Sequence, residues 1–339
     1  MSKERILFLD VIRIMACVMI IMMHAPIPGT DIDGHVLITN GLITVPGVGL
    51  FVMVSGALLL PVKMPTRVFL KKRLTKILFP AFFWTLVYMT VNLLRADVTI
   101  SELPRLLISI PFSAQFNGAM WFIYMLVGLY LLAPIISPWL EKSSKRELEF
   151  YLAIWAITLC YPVIRGFVDV NEGSTGLLYY FGGYAGYFLL GFYLRRYTPA
   201  IPLVVCCVLI AFPFVAGAYC KLRGINVDFF DVFYYLSILT VCAAIGWFVL
   251  LQRVVPSPNS ANLSNRIAMV SNYCFGIYLA HIFVMRSILW RWSVFQELGG
   301  GIQIIATTAL TFAGSILIAW VLSLLPFGAY LVGFKNKNI

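Results

Sequence analysis

The chain has 339 residues, of which 61% are hydrophobic and 12% charged, and its mean hydropathy is +0.92. These values exclude a soluble globular protein and indicate an all-α polytopic membrane protein. The formal net charge of +11 is explained by basic loops that orient such a protein in the lipid bilayer, so we expect no nucleic-acid partner.

Ten apolar windows are long enough to cross a hydrocarbon core of roughly 30 Å. They fall near 8–26, 41–61, 74–94, 119–138, 149–168, 177–194, 201–219, 230–251, 269–290 and 301–325. We predict about ten transmembrane helices in a single membrane-embedded domain over 1–339, with the first helix retained rather than cleaved as a signal peptide. The apolar segment 103–114 is too short to span and should lie at the interface or re-enter the membrane.

The positive charges predict the orientation of these helices. Of the 25 Lys and Arg residues, 17 lie on the side of the N-terminus and seven on the opposite side, while Arg13 lies within the first helix. This bias predicts that both termini are cytoplasmic, in an inner or plasma membrane, and that the loop 27–40 is outside.

The first predicted span carries three ionisable side chains, Asp10, Arg13 and His24. Such residues are costly inside a bilayer and usually mark a functional path. Arg13 and His24 are 11 residues apart, which places them roughly 20° apart on one helix face, and Asp10 can pair with Arg13. Imidazole has an ordinary pKa of about 6.5, so His24 is a candidate general base, with Arg13 and Asp10 as a charge clamp nearer the cytoplasm.

A basic segment opens the third span, with Lys72, Arg73 and Lys76. It is typical of cytoplasmic anchoring against anionic lipid, but clustered cations of this kind also bind a diphosphate. In the second span, Ser55 could hydrogen-bond a ligand, although small residues there also favour close helix packing.

Aromatic and polar residues mark two further spans. Asn117, Trp121 and Tyr124 open the fourth, either as an interfacial aromatic belt or as a platform for a sugar. In the ninth span His281 follows Tyr278 by three residues on one face, either to fix helix packing or to serve a site. The seven cysteines show no ligand spacing, so we expect no metal.

Taken together, these segments resemble the acyltransferase type 3 family of integral-membrane O-acyltransferases across essentially the whole chain. The first-span pattern of a basic residue, ten residues and a His is matched by Arg13 and His24. Other family patterns are matched by Phe51, Ser55 and Gly56, by Lys72, Arg73 and Lys76, and by Phe275, Gly276, Ile277, Tyr278, Leu279 and His281. Many members carry a Trp-Ser motif followed by Glu residues in a middle span, whereas this chain has Trp121, Phe122 and Tyr124 with no acid there, so it looks more like the short branch that modifies surface glycans without an attached soluble domain.

The resemblance implies transfer of an acyl group, most often acetyl from cytoplasmic acetyl-CoA, to a hydroxyl of a surface or lipid-linked glycan. We expect Arg73, Lys72, Lys76 and Ser55 to bind the acyl-CoA, and His24, with Arg13 and Asp10, to carry the catalysis. Trp121, Tyr124, Asn117, Tyr278 and His281 are the candidate residues for the glycan or glycolipid acceptor. The competing interpretation is a transporter or flippase for a lipid-linked glycan, whose intramembrane charges also line a polar path. A membrane scaffold is a third, but it does not explain the aligned Asp10, Arg13 and His24.

Overall fold

The computed structural model describes residues 5–114, 116–168, 178, 181–225, 232–255 and 261–334, and all regular structure within them is helical. The longer helices are α1 (Leu7–His24), α2 (Gly34–Thr44), α3 (Pro46–Leu59), α4 (Thr66–Leu94), α5 (Leu103–Ser109), α6 (Trp121–Lys142), α7 (Lys145–Phe167), α8 (Ala185–Tyr197), α9 (Leu203–Leu222), α10 (Ile238–Val254), α11 (Ala261–Ile282), α12 (Ser293–Glu297), α13 (Gly300–Leu324) and α14 (Gly328–Val332). A π-helical segment, Phe283–Ile288, and a 3₁₀ turn, Leu289–Arg291, extend α11.

Eight helical stretches in the described part of the chain are long and apolar enough to cross a membrane. They are Leu7–His24, Gly34–Leu59, Thr66–Leu94, Gly118–Lys142, Lys145–Arg165, Leu203–Leu222, Asn262–Arg291 and Gly300–Leu324. The all-α multi-pass prediction is therefore confirmed. Among the described residues α10 has only 17 residues and α8 only 13, so the predicted number of ten stays unconfirmed. The beginnings of the windows 177–194 and 230–251 fall partly on residues outside the described part.

Several predicted boundaries are wrong for identifiable reasons. The segment 27–40 is not entirely loop, because Asp33 caps a helix that begins at Gly34 and runs almost directly into α3. The segment 103–114, by contrast, agrees with the prediction that it is too short to span, since its helix has only seven residues. The ninth span begins at Ala261 rather than 269, because its polar first two turns hide the helix from a hydropathy window.

Helix α3 lies at the centre of the bundle, and most of its side chains are buried. It crosses α8 at the distance of backbone contact, where a Cβ added to Gly56 would lie 1.8 Å from the carbonyl oxygen of Phe188. On another face it packs against α1, where a Cβ on Gly47 would lie 2.9 Å from that of Met19. Small residues at these crossings let backbones approach closely in a membrane bundle.

Helices α1 and α11 run side by side in the same direction. Asp10 of α1 contacts Ser271 of α11 near one end, and His24 contacts His281 near the other. We call the end that carries Arg73, Arg195 and Arg196 the basic end, and the end that carries His24 and His281 the histidine end.

Candidate active site

An ion-pair cluster joins α1 to α11 toward the basic end. The carboxylate of Asp10 accepts hydrogen bonds from Arg5 at 2.6 Å and from the Ser271 hydroxyl at 2.6 Å, and lies 3.6 Å from Arg13. Arg13 in turn donates to the oxygen of Ser271 at 2.9 Å. Arg5 continues the cluster to the amide oxygen of Asn272 at 3.1 Å. Asp10 and Arg13 are thus brought together as predicted, in contact with α11.

His281 of α11 lies beside His24 of α1 at the other end of the same two helices. The imidazole rings of His24 and His281 lie 5.5 Å apart, centre to centre, and are tilted by 38°. Three turns of helix separate His24 from Arg13, about 16 Å by the rise of an α-helix. The residues predicted as one catalytic group therefore form two clusters, and His24 has His281 rather than Arg13 as its near neighbour.

The two imidazoles have different surroundings. Nδ1 of His281 donates to the backbone carbonyl of Tyr278, since a carbonyl oxygen can only accept. Its Nε2 is then an acceptor, and this atom is buried with no hydrogen-bond partner within the described residues. His281 is 1% exposed, whereas His24 is half-buried. His24 is consequently the more exposed imidazole of the pair.

Aromatic residues support the histidine pair from the side of α4 and α6. The Tyr88 hydroxyl donates to the carbonyl of Leu279 at 2.7 Å and accepts from the backbone N–H of Phe283 at 3.2 Å. The Tyr278 hydroxyl donates to the carbonyl of Ala119, and its ring lies 5.6 Å from that of His281. These bonds hold the end of α11 between α4 and the start of α6.

The π-helical segment that follows His281 carries Arg286, which sequence reasoning missed as a candidate site residue, at the histidine end of α11. In an α-helix, five residues turn about 500°, which would put Arg286 about 140° away from His281 on the helix surface. The wider π-helical turn changes this register, and π-segments often occur at functional sites. Helical periodicity alone carries no signal for such a change.

A pocket of about 510 Å³ opens at the basic end, between the end of α3, the start of α4 and the end of α8. Its cationic lining consists of Lys63, Arg73, Arg195 and Arg196. Arg195 donates to the carbonyl of Ala57, which fixes this side chain across the α3–α8 crossing. The Nε of Arg73 is buried and has no hydrogen-bond partner in the described part of the chain.

The other residues predicted to bind the acyl-CoA, which are Lys72, Lys76 and Ser55, do not line this pocket. Lys72 and Lys76 are exposed on α4 and do not line the pocket. The Ser55 hydroxyl donates to the carbonyl of Phe51 one turn earlier, at 3.0 Å. Arg195 and Arg196 line the pocket although their sequence indicates only a cytoplasmic helix end, since a basic helix end looks the same in sequence whether or not it lines a pocket.

The predicted acceptor residues are split between two places. Trp121 lies between Tyr184 and Tyr235, with both ring centres at 5.5 Å. The Asn117 side chain accepts from the N–H of Ala119 at 3.1 Å. Tyr124 instead donates to the carbonyl of Ile110 at 2.5 Å, on the side of α6 that faces α5.

Among the described residues, no three His, Cys, Asp or Glu side chains are grouped so that they could hold a metal ion.

A helical bundle with eight apolar stretches of membrane-spanning length in its described part, a histidine pair at one end and a cationic pocket at the other is a multi-pass membrane protein. The family model described as an acyltransferase domain matches residues 6–323, nearly the whole chain. The chain belongs to this family, acyltransferase 3, and is a membrane acyltransferase. Comparison with curated proteins and with solved structures gives no match.

Proposed function

We propose that the protein transfers an acetyl group from cytoplasmic acetyl-CoA to a hydroxyl of a surface or lipid-linked glycan, across an inner or plasma membrane. The observation that carries this proposal is the pairing of the half-buried His24 with the fully buried His281. A neutral imidazole that an acceptor can reach, backed by a second imidazole, supplies what deprotonation of a sugar hydroxyl requires.

In the proposed step, a ring nitrogen of His24 takes the proton of the acceptor hydroxyl. The hydroxyl oxygen forms a bond to the acetyl carbonyl carbon, and the bond between that carbon and the CoA sulfur breaks. The thiolate leaves with the electron pair and takes up the proton from the His24 imidazolium. The products are the acetylated glycan and CoA with a free thiol, and His24 returns to its neutral form.

The basic pocket supports binding of the donor's phosphates. Guanidinium groups bind phosphate oxygens through charge-assisted hydrogen bonds. Arg73, whose Nε has no partner, and Arg195 and Arg196 line one cavity at the basic end. In this proposal the thin pantetheine arm reaches from the pocket toward His24, and Lys72 and Lys76 add positive charge beside it.

For the acceptor, the aromatic group at the start of α6 supports sugar binding. Trp121 contacts Phe122, whose ring lies 5.4 Å from that of Tyr278, beside the histidine pair. We propose that Trp121, Tyr278 and Asn117 orient the sugar, with Tyr124 on the other side of the helix.

The test is acetyl transfer from [¹⁴C]acetyl-CoA by purified protein, in membranes that hold the host's glycans. His24→Gln keeps hydrogen-bonding capacity and approximate size but cannot take up a proton, so transfer should fall on the order of 10²- to 10⁴-fold. Binding of CoA should change little. A well-folded His24→Gln variant with the parent's rate would refute the role of His24, and acetyl-CoA left intact by the parent protein would favour a transporter or flippase.

A further inference from the structure

The buried face of α13 is polar, although this helix is apolar enough as a whole to span a membrane. Six of its eight buried residues carry a hydroxyl or an amide group, and these are Gln303, Thr307, Thr308, Thr311, Ser315 and Ser323. Lipid offers no hydrogen bonds, so polar side chains of a membrane-spanning helix face other helices and bond there. Each of the six should therefore have a partner inside the bundle.

Three of these six side chains are satisfied and three are not. The hydroxyl of Thr308 donates to the carbonyl of Ile304 at 2.7 Å, and the side chains of Ser323 and Gln303 are hydrogen-bonded as well. The buried hydroxyl oxygens without a partner among the described residues are those of Thr307, Thr311 and Ser315. They recur every four residues and so form one row along the helix.

Helices α11 and α13 pack side by side in opposite directions, in a register that two close contacts define. A Cβ on Gly276 of α11 would lie 2.9 Å from the Cβ of Ala319, and a Cβ on Gly314 of α13 would lie 2.9 Å from Cγ1 of Val284. The residues between Gly276 and Val284 on α11 are thereby level with those between Gly314 and Ala319 on α13.

His281 and Ser315 lie within these two intervals, on the sides of the helices that face one another. Ile277 and Met285, four residues before and after His281, belong to one buried cluster with Ala319 of α13. Ser315 precedes Ala319 by four residues, which places it on the same face of α13. His281 is 1% exposed and Ser315 is fully buried. An unpaired hydroxyl and an unpaired imidazole nitrogen are thus level with each other on facing helices.

The two unpaired atoms are complementary in their hydrogen-bonding chemistry. Because Nδ1 of His281 donates to the carbonyl of Tyr278, its Nε2 can only accept. The hydroxyl of Ser315 can donate, and rotation about its χ1 bond moves the hydroxyl between three staggered positions. Burial makes it costly to leave both groups unpaired. The competing acceptor for this hydroxyl is the carbonyl of Thr311, one turn earlier on its own helix.

We propose that Ser315 is a positioning residue for the histidine pair, whose hydroxyl donates a hydrogen bond to Nε2 of His281. This inference rests on the proposed function in one respect, the role of His24 as the base. With both of its nitrogens bonded, His281 does not hydrogen-bond the neighbouring imidazole, and the basic nitrogen of His24 stays free for the acceptor hydroxyl. Ser315 acts on His24 through His281 and does not touch the substrate.

The experiment is ¹⁵N NMR of the purified full chain with ¹⁵N-labelled histidine. The chain has only three histidines, and His281→Gln identifies the signals of His281 by their loss. A hydrogen bond to an unprotonated imidazole nitrogen moves its resonance upfield. Ser315→Ala should therefore move the Nε2 resonance downfield, whereas Ser315→Thr, which keeps a hydroxyl, should retain the parent's value. If either variant fails to fold, Ser315→Cys tests the same bond, because a thiol is similar in size but a weak donor.

Two matched controls lie on the same helix. Thr308→Val and Thr311→Val each remove one buried hydroxyl with little change of shape, and both should leave the Nε2 resonance at the parent's value. In the transfer assay, Ser315→Ala should lower kcat about tenfold, the effect of one hydrogen bond. Its KM for acetyl-CoA should stay within about twofold of the parent's, since the basic pocket is unchanged.

Three results would overturn the inference. A parental Nε2 resonance in folded Ser315→Ala would mean that the hydroxyl bonds its own helix. A changed resonance in Thr311→Val, with none in Ser315→Ala, would make Thr311 the donor. A parental kcat in a Ser315→Ala variant whose resonance has moved would show that the bond does not serve catalysis. The NMR measurement needs no acetyl-CoA, so its outcome is separate from the effect of His24→Gln on transfer.

Discussion

At the scale of single residues, the ionisable side chains of α1 form two separate groups, Asp10 with Arg13 and His24 with His281. Asp10 and Arg13 are satisfied by α11, through Ser271 and one another, and they lie far from His24. Within the described residues, the one ring contact of His24 is with His281. The spacing of Arg13 and His24 therefore places them near opposite ends of α1. Arg13 joins the ion-pair cluster between α1 and α11, and His24 lies beside His281.

The first prediction concerns Asp10. Asp10→Asn removes the charge that Arg5 and Arg13 share and leaves Arg13 unpaired, so the free energy of unfolding should fall by about 3 kcal/mol. Thermal unfolding in detergent measures the loss. Lys145→Gln, which breaks an exposed pair with Glu149 at 3.6 Å, is the control and should change stability by less than about 1 kcal/mol.

A catalytic Asp10 would behave differently. In that case Asp10→Asn would keep the parent's melting temperature and lose transfer per folded molecule. This result would contradict the structural clamp and restore Asp10 to the catalytic group predicted from the sequence.

The second prediction separates two adjacent cations of α4. Arg73 lines the pocket at the basic end, whereas Lys72 is exposed outside it. Arg73→Gln should raise the acetyl-CoA concentration needed for half-maximal transfer about tenfold or more, since a charge-assisted bond contributes about 1.5 to 3 kcal/mol. Lys72→Gln should raise it by less than about threefold, because an exposed charge is screened. Equal effects from both would show that the phosphates bind on the surface of α4 instead.

At the scale of elements, the sequence predicts helices well where a hydrophobic window coincides with a helix. The window 8–26 corresponds to Leu7–His24. The hydropathy window fails where tertiary contacts decide the boundary: α8 is short and apolar, yet its Gly191 packs it directly onto Met53 of α3. The π-helical register after His281 likewise depends on contacts with Tyr88 of another helix. Sequence patterns therefore identify His24 and Arg73 as candidate site residues. They do not identify Arg195, Arg196 or Arg286, whose positions depend on how the helices pack.

The third prediction concerns the α3–α8 crossing, which forms one wall of the basic pocket. A Cβ at Gly191 would lie 1.9 Å from the carbonyl oxygen of Met53, a backbone atom that cannot rotate away. Gly191→Ala should therefore separate the two helices and lower the free energy of unfolding by about 2 kcal/mol or more, as overpacking does. Yield and melting temperature in detergent measure this.

Gly128→Ala is the matched control, since its Cβ meets open space. Removing a glycine from that helix should leave the melting temperature unchanged or slightly raised. A stable Gly191→Ala variant would mean that α3 and α8 do not approach as closely as the structure has them.

At the scale of the whole molecule, the two ends of the bundle differ in charge and in chemistry. The cationic pocket lies at the end of α3, and the histidine pair lies at the opposite end of α1, where the bundle also carries Arg95 and Arg286. Acetyl-CoA is made in the cytoplasm, while surface glycans are displayed on the other side. A protein that transfers an acetyl group from one to the other needs its donor site and its base at opposite membrane surfaces. The orientation of the bundle in the membrane therefore decides whether this protein can carry out the proposed transfer.

The last prediction is that the histidine end faces outward and the basic end faces the cytoplasm, as the distribution of Lys and Arg indicates. Two exposed residues report on the two ends: Asp31 follows α1 beyond His24, and Lys142 ends α6 next to Leu140, whose carbonyl accepts from Arg196 at 3.2 Å. Asp31→Cys should react with a membrane-impermeant thiol reagent in intact cells, and Lys142→Cys only after permeabilisation. The parent chain, with its seven cysteines, gives the background. The reverse pattern would place the basic pocket outside, away from cytoplasmic acetyl-CoA, and would refute the proposed route of the acetyl group.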